Sequence, residues 1–487
     1  MRNLLKAMLT TGGATVIAQI LSLIVNKVLA HFIGASGVGF YSLCRQVHES
    51  AASLGGVASG GLLQGLAARD AAPRRRLLRA AIVLSGTGTA IVAALLLIAP
   101  QVVADFLFGH GDEATLLAIR LCAATAILAI AYSILSGIVN AARAINALAV
   151  MSIVGVLAAA LVAWPVALEA RDNRFVLLIL IGLPLLVQIA LAAVVLSRLG
   201  WRLRDVLGRE ARPGAAEYRY FAGFFAFNVT LTAVSTGAML YVRARVVDSG
   251  GLAAAGLFAA GWGIGMQSMS LILSSFGTYV LPTVAAAGPD ERRKVMQDAA
   301  TLLIGLSLPL LTALLLFKPL VLRILFTAEF LPAVALLQWL LLGNYLKAIS
   351  WAVAVPLPAT ADLRRYIFLE VGWYVVFVGS AVLAMQEMGW LPSVGLAFVA
   401  TYLLYLLASI WLVERRFGFR LAGRSVATMV AGAAILVLAA TLTWNDTTVD
   451  WPLAVSLPIS ACMVSLLALT PQQRQRGREL LMKLVGR

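Results

Sequence analysis

Runs of about 20 apolar residues, separated by short polar segments, recur along the whole chain of 487 residues. A helix of that length crosses the roughly 30 Å hydrocarbon core of a bilayer. The pattern therefore predicts an all-α, polytopic membrane protein with about fourteen transmembrane helices. The predicted spans are 10–32, 38–66, 77–98, 115–140, 148–169, 175–197, 220–247, 252–285, 296–317, 332–358, 364–385, 390–413, 425–443 and 452–470.

Composition excludes a soluble protein. Hydrophobic residues make up 61% of the chain and charged residues 12%, and the mean hydropathy is +0.93. The first apolar run follows Arg2 and Lys6 without a small-residue cleavage site, so we expect a retained first helix. The cysteines all lie in apolar spans, which argues against a disulfide framework.

The net charge of +16 reflects membrane topology more than nucleic-acid binding, because the basic residues collect in alternate loops. Since Lys and Arg are enriched in cytoplasmic loops, we expect both termini and the basic loops in the cytoplasm. The basic segments are Arg74–Arg76, residues 198–219, Arg292–Lys294, Arg364–Arg365, Arg415–Arg420 and Arg474–Arg487.

A repeat divides the predicted helices into two halves. Arg74 and Arg292 are 218 residues apart, and the same offset pairs Phe40 with Phe258. Because each half has an even number of spans, the repeat is predicted to be parallel, with a central cavity between two bundles. The expected domains are a six-helix bundle (1–198), a cytoplasmic linker (199–219), a second six-helix bundle (220–413) and two extra helices with a basic tail (414–487). The extra helices lack intramembrane charge, so we expect them to be peripheral to transport.

Charged residues within the spans are the strongest functional signal, because a charge at bilayer depth is costly unless it faces protein or water. Cations predominate and come from both halves, as a cavity for an anionic substrate requires. Arginine can bind phosphate bidentately, whereas lysine acts as a point charge. The candidate substrate-binding residues are Lys27, Arg45, Arg243, Arg245 and Lys347, and the candidate ion-coupling or counter-ion residues are Glu49 and Glu370.

Most of these charges also have a structural explanation. Lys27, Arg243 and Arg245 lie near span ends, where long cationic side chains can extend to the headgroups. Arg45 and Glu49 could neutralise each other at i,i+4 spacing.

Lys347 lies near the middle of its span, too deep to reach the headgroups easily. Glu370 could carry a proton or ion, or could only pair a cation. His48 could equally be an interior histidine or a proton carrier.

Motifs for enzymatic or cofactor chemistry are absent from the sequence: it has no P-loop, dinucleotide-binding turn, metal-spaced His/Cys cluster or nucleophile elbow. We therefore expect a non-enzymatic protein without a cofactor or a bound metal. A transporter without an ATPase motif must use an ion gradient, a substrate gradient or a partner.

Three blocks of the sequence resemble a known family. They are Lys27-x-Leu29-Ala30…Gly34-x2-Gly37-x-Gly39…Arg45-Gln46, then Ser275-Phe276-x2-Tyr279-x-Leu281-Pro282-Thr283, then Phe326-Thr327-Ala328 with Gln338, Gly343, Leu346-Lys347 and Tyr366 to Glu370. Together they resemble the bacterial polysaccharide flippases of the multidrug/oligosaccharidyl-lipid/polysaccharide (MOP) exporter superfamily. The likeness is particular to flippases for the undecaprenyl-linked repeat unit of enterobacterial common antigen, and it covers about residues 5–415.

The resemblance implies a flippase in the bacterial inner membrane. Its substrate would be an undecaprenyl-diphosphate-linked oligosaccharide, moved from the cytoplasmic to the periplasmic leaflet by alternating access. Membrane lipids and a polysaccharide polymerase would be its partners. Two departures stand out: Asn344 replaces the acid of the family's Gly-Asp-x-Leu-Lys pattern, and the chain continues beyond twelve helices.

Two other functions compete with this interpretation. A cation-coupled multidrug exporter of the same superfamily should have a predominantly acidic cavity, whereas bases outnumber acids here. A membrane glycosyltransferase or ligase needs a sizeable periplasmic loop with catalytic residues, and the predicted outer loops are short.

Overall fold

The computed structural model describes residues 2–56, 71–109, 111–200, 213–444 and 448–468. Nearly all of these residues are helical, and the ranges contain no strand. They include eleven helices long and apolar enough to cross a bilayer, plus the shorter apolar helix Trp451–Leu467. The predicted all-α, polytopic membrane fold is confirmed.

The chain forms two compact units. Unit 1 comprises Met1–Gly256 with Leu325–Thr327, and unit 2 comprises Leu257–Ile324 with Ala328–Arg487. Unit 1 contains α1 (Arg2–Gly55), α2 (Ala71–Ile98), α3 (Pro100–Phe108), α4 (Glu113–Ala141), α5 (Ile145–Glu169), a 3₁₀ turn (Arg174–Leu178), α6 (Ile179–Arg198) and the part of α7 (Ala215–Ala286) up to Gly256.

Unit 2 contains the rest of α7 and the helices that follow it. They are α8 (Pro289–Leu316), α9 (Lys318–Leu325), a 3₁₀ turn (Ala328–Ala333), α10 (Val334–Ala354), α11 (Pro356–Ala359), α12 (Leu363–Glu387), α13 (Trp390–Phe417), α14 (Gly423–Leu442) and α15 (Trp451–Ala468). The predicted linker lies largely outside the described residues, so the domain boundaries stay a prediction.

Two pairs of consecutive predicted spans each form a single kinked helix. Gly34 interrupts α1 at φ 61° and ψ −168°, and Gly251 interrupts α7 at φ 67° and ψ −163°. These dihedrals are open to glycine and strained for other residues, so the helix turns without a polar loop. The two kinks are 217 residues apart, one fewer than the offset of the predicted repeat.

The helix segments that follow these kinks pack closely within unit 1. A Cβ atom at Gly39 would lie 1.9 Å from the carbonyl oxygen of Leu252, and one at Gly256 would lie 2.0 Å from that of Ala35. Only glycine permits this backbone contact. It fixes the part of α1 that carries the first group of charged residues.

Hydropathy did not predict the two short helices α3 and α9, which are too short to cross a bilayer. The remaining helices overlap the predicted spans, but several begin earlier, by eight residues in α1, six in α2 and seven in α8. Helix α1 ends at Gly55, and residues 57–66 of that predicted span lie outside the described residues.

The two extra helices pack on α8 in unit 2. Lys318 is 1% exposed, and its ammonium group donates to the carbonyl and hydroxyl oxygens of Thr443, after α14. A buried cation is tolerated only when such groups satisfy it. For folding, therefore, α14 is an integral part of unit 2, whereas its predicted peripheral role in transport stays a prediction.

Candidate functional site

In unit 1, the part of α1 that follows the kink carries several polar side chains on one face. Arg45 Nε donates to Glu49 Oε1 at 2.7 Å, and both side chains are 50% exposed. The i,i+4 spacing places them one helical turn apart. An ion pair with this exposure contributes about 0–1 kcal/mol, so it can open at little cost.

Arg45 and Glu49 line a cavity of about 220 Å³. The polar part of its wall also includes Asn26 and Tyr41, and an apolar wall comes from α5 and α6. Ligand pockets usually have volumes of about 300–1,000 Å³. This cavity is therefore large enough for one charged group of a ligand, such as a phosphate, but too small for an oligosaccharide.

Arg243, on α7, belongs to the same group, because its guanidinium interacts electrostatically with both Glu49 and Arg45. Two cations thus interact with one carboxylate, and the cluster has a net positive charge, although Arg243 itself does not line the 220 Å³ cavity. We name these three residues the unit 1 cluster. Its members come from sequence positions about 200 residues apart, and the glycine contact between α1 and α7 brings their helices together.

Two other predicted binding residues have different surroundings. Lys27 donates to the carbonyl oxygen of Phe326, in the short segment between α9 and the next 3₁₀ turn. Arg245 is 48% exposed, pairs with Asp248 at 3.2 Å and lies over the ring of Tyr241. Neither residue lines the 220 Å³ cavity.

His48 is buried, and its Nδ1 lies 2.9 Å from Thr125 Oγ1. This arrangement matches the interior histidine that was one of the two sequence-based alternatives.

In unit 2, Lys347 on α10 lies among soft and aromatic groups. Its Nζ is 3.8 Å from Met266 Sδ and 5.9 Å from the ring centroid of Tyr402. A cation within about 6 Å of an aromatic face is attracted by the ring. These contacts hold the ammonium group while leaving its strongest hydrogen-bonding capacity for a charged partner.

Glu370 on α12 supplies an opposite charge in unit 2 that interacts electrostatically with Lys347. Its Oε1 accepts a hydrogen bond of 2.8 Å from Tyr405, and Tyr366 is a second donor. We name Lys347, Glu370, Tyr402 and Tyr405 the unit 2 cluster. Sequence analysis missed both tyrosines of α13; only their spacing at i,i+3 marks them as sharing a helix face.

Asn344, which replaces the acid of the family pattern, has a structural role. It is fully buried, and its Nδ2 donates to the carbonyl oxygen of Gly265 at 2.6 Å. An ionised aspartate could not donate this bond. The amide therefore ties α10 to α7 one turn before Lys347.

The two clusters differ in charge. The unit 1 cluster has a net positive charge, whereas the cation and carboxylate of the unit 2 cluster balance each other. Among the described residues, no group of three or more His, Cys, Asp or Glu side chains could hold a metal ion. Arg and Lys, which both clusters contain, are side chains that bind anionic groups through charge-assisted hydrogen bonds.

No protein-family model matches the chain. The lipid III flippase of Escherichia coli (strain K12) is 26% identical over 433 residues, covering 85% of this chain and 99% of that protein.

Two solved structures show the fold. The lipid II flippase MurJ in an inward closed conformation matches with a TM-score of 0.72 at 13% identity, covering 97% of this chain and 99% of that one. An inward-facing multidrug resistance MATE transporter of the MOP superfamily matches with a TM-score of 0.66 at 14% identity, covering 82% and 95%. The resemblance drawn from the sequence motifs is confirmed, and the chain has the fold of the transporters of the MOP superfamily.

Proposed function

We propose that this protein flips an undecaprenyl-diphosphate-linked oligosaccharide from the cytoplasmic to the periplasmic leaflet of the bacterial inner membrane. The observation that carries the proposal is the match to a lipid III flippase over 99% of that protein's length. The clusters support it, because a diphosphate is the kind of anion that arginine and lysine bind through charge-assisted hydrogen bonds.

In unit 1, Arg45 and Arg243 bind the diphosphate. The 220 Å³ cavity accepts a phosphate group, and the saccharide stays outside it. When the anion enters, Arg45 exchanges Glu49 for a phosphate oxygen, and the pair forms again on release. Because the Arg45–Glu49 pair is half exposed, this exchange needs little desolvation.

In unit 2, Lys347 is a further candidate for binding a phosphate group of the substrate. Glu370 keeps the ammonium group neutralised between cycles, and the tyrosine donors hold the carboxylate in place. Glu370 is a candidate for proton or ion coupling as well as the counter-ion of Lys347 when no substrate is bound. Lys27 and Arg245 are weaker candidates for binding, because neither lines the 220 Å³ cavity or belongs to the unit 1 cluster.

The clusters do not favour a drug exporter, since a site for cationic drugs needs a surplus of acids. The polymerase machinery that extends surface polysaccharides is a fitting partner, because it would use the flipped repeat unit as its substrate.

The proposed direction requires cytoplasmic termini and a cytoplasmic 199–219 linker, as the Lys/Arg bias predicts. We expect a Glu210→Cys variant, in a chain whose own cysteines are replaced, to resist impermeant thiol reagents in intact cells. The same cysteine should react once the cells are permeabilised. Ready modification in intact cells would contradict the predicted cytoplasmic location of the linker.

The function itself is tested by complementation. In a bacterial strain that lacks its own flippase and accumulates lipid-linked repeat units, we expect the gene to restore surface polysaccharide and to clear the accumulated lipid. The control is a Lys347→Ala/Arg45→Ala chain expressed at the same level, which should do neither. Acquired drug resistance without restored polysaccharide would instead indicate the multidrug exporter.

A further inference from the structure

A second, larger cavity lies at one end of unit 2. It has a volume of about 740 Å³, within the usual range of ligand sites. The starts of α8 and α12 and the end of α13 form it, and it shares no residue with the unit 2 cluster. The lining residues that carry charge are Arg292, Arg293, Asp362, Arg365 and Arg416.

Four guanidinium groups therefore share this cavity with one carboxylate. Asp362 accepts a hydrogen bond from Arg365 and lies 3.4 Å from Arg416 Nε. Burial opposes ionisation of Asp362, but the hydrogen bonds from Arg365 and Arg416 lower its pKa, so it is charged at neutral pH. Asp290 pairs with Arg293 at 3.6 Å but is almost fully exposed. The cavity therefore keeps a surplus of positive charge, and its concave shape concentrates the field there.

One guanidinium is held rigidly by the backbone. Arg292 Nε donates to the carbonyl oxygen of Val284 at 3.2 Å, and its Nη2 donates to that of Ala287 at 3.1 Å. The group also lies over the ring of Phe417, 5.9 Å from the centroid. Arg292 thus contributes a preorganised charge that loses little side-chain entropy when an anion binds.

The cavity lies at the level of the lipid headgroups, because the membrane-spanning segments of α8 and α12 begin there and that of α13 ends there. A large apolar side chain is exposed just inside the start of α12. Phe368 follows Arg365 by three residues, on the same side of the helix, and is 73% exposed. An anion bound in the cavity would therefore have hydrocarbon-compatible surface beside it.

We propose that this cavity binds the phosphate group of an anionic phospholipid of the leaflet that the Lys/Arg bias identifies as cytoplasmic. Arginine matches phosphate bidentately. The exposed side chain of Phe368 favours a lipid over a free phosphate as its source. A lipid bound here would link the loop before α12 to the end of α13, the two helices that carry Glu370 and Tyr405. This inference is independent of the transported substrate.

The test measures binding of phosphatidylglycerol and phosphatidylcholine to the purified full-length protein by native mass spectrometry. Phosphatidylglycerol should bind more tightly, and Arg365→Gln/Arg416→Gln should weaken it at least about ten-fold, since charge-assisted contacts are lost. The matched control is Arg364→Gln/Arg415→Gln, which removes the same charge from adjacent residues that do not line the cavity. It should change binding less than about two-fold.

Arg365→Lys/Arg416→Lys keeps the charge without the bidentate geometry, and it should give an intermediate loss. It also provides the readout if the glutamine variant fails to fold. Inorganic phosphate is the soluble probe. If inorganic phosphate binds about as tightly as phosphatidylglycerol, with the same dependence on Arg365 and Arg416, the cavity recognises a soluble phosphate and the assignment to a lipid is wrong. Equal weakening by both glutamine variants would overturn the proposal, because overall charge would then explain the preference. Unchanged binding in both variants would also overturn it, because Arg365 and Arg416 would then not contact the lipid.

Discussion

Replacing Lys347 by alanine or glutamine should reduce transport by about ten- to a hundred-fold while membrane insertion stays near normal. A hydrogen bond to a charged group contributes about 1.5–3 kcal/mol, and each 1.4 kcal/mol corresponds to ten-fold. Insertion should be preserved because Glu370 keeps its tyrosine donors when the lysine is lost. Lys347→Arg should retain more transport than Lys347→Gln, because positive charge at the site matters beyond side-chain size.

The measurement is the ratio of lipid-linked repeat units to surface polysaccharide in the complemented strain, at matched protein levels. Lys294→Gln is the control, since this exposed lysine belongs to neither cluster. Glu370→Gln shows what the carboxylate does. If Glu370 is only a counter-ion, Lys347→Gln/Glu370→Gln should transport no worse than Lys347→Gln alone; an additional loss would indicate a coupling role. Wild-type transport by Lys347→Gln would contradict a role of Lys347 in binding.

Arg45→Ala should also impair transport, and adding Glu49→Ala should not rescue it. The two side chains form an ion pair at 2.7 Å, so the single substitution removes a partner of Glu49 as well as a binding group. Because Glu49 is half exposed, water can solvate it after the arginine is lost, and the stability cost should be about 1 kcal/mol or less. Most of the lost transport should therefore reflect lost binding.

The double variant distinguishes the two roles of Arg45. If it only neutralises Glu49, Arg45→Ala/Glu49→Ala should recover transport; if it binds the diphosphate, the double variant should stay impaired. Arg420→Ala/Glu414→Ala is the matched control, because it removes an exposed ion pair outside both clusters. Full recovery of the first double variant, together with an active Lys347→Gln protein, would refute anion binding by the clusters.

The sequence by itself determined the fold class and most of the helix positions. A helix that crosses a bilayer needs about 20 apolar residues whatever its neighbours are, so hydropathy alone locates it. Hydropathy also identified the charged residues within the spans, because a charge inside the bilayer is costly whichever helix carries it. Short motifs, each confined to one block of the sequence, also indicated the superfamily.

Only the tertiary structure decided which charges act together. Arg243 joins Arg45 and Glu49 because glycine contacts bring distant helix segments together. Arg245 lies only two residues further along α7 but is exposed beside Asp248, because residues two apart on a helix point in different directions. The burial of Lys318 and the cavity of four arginines likewise depend on contacts between helices far apart in sequence. Hydropathy describes each helix alone, whereas the partners of a charge are set by packing.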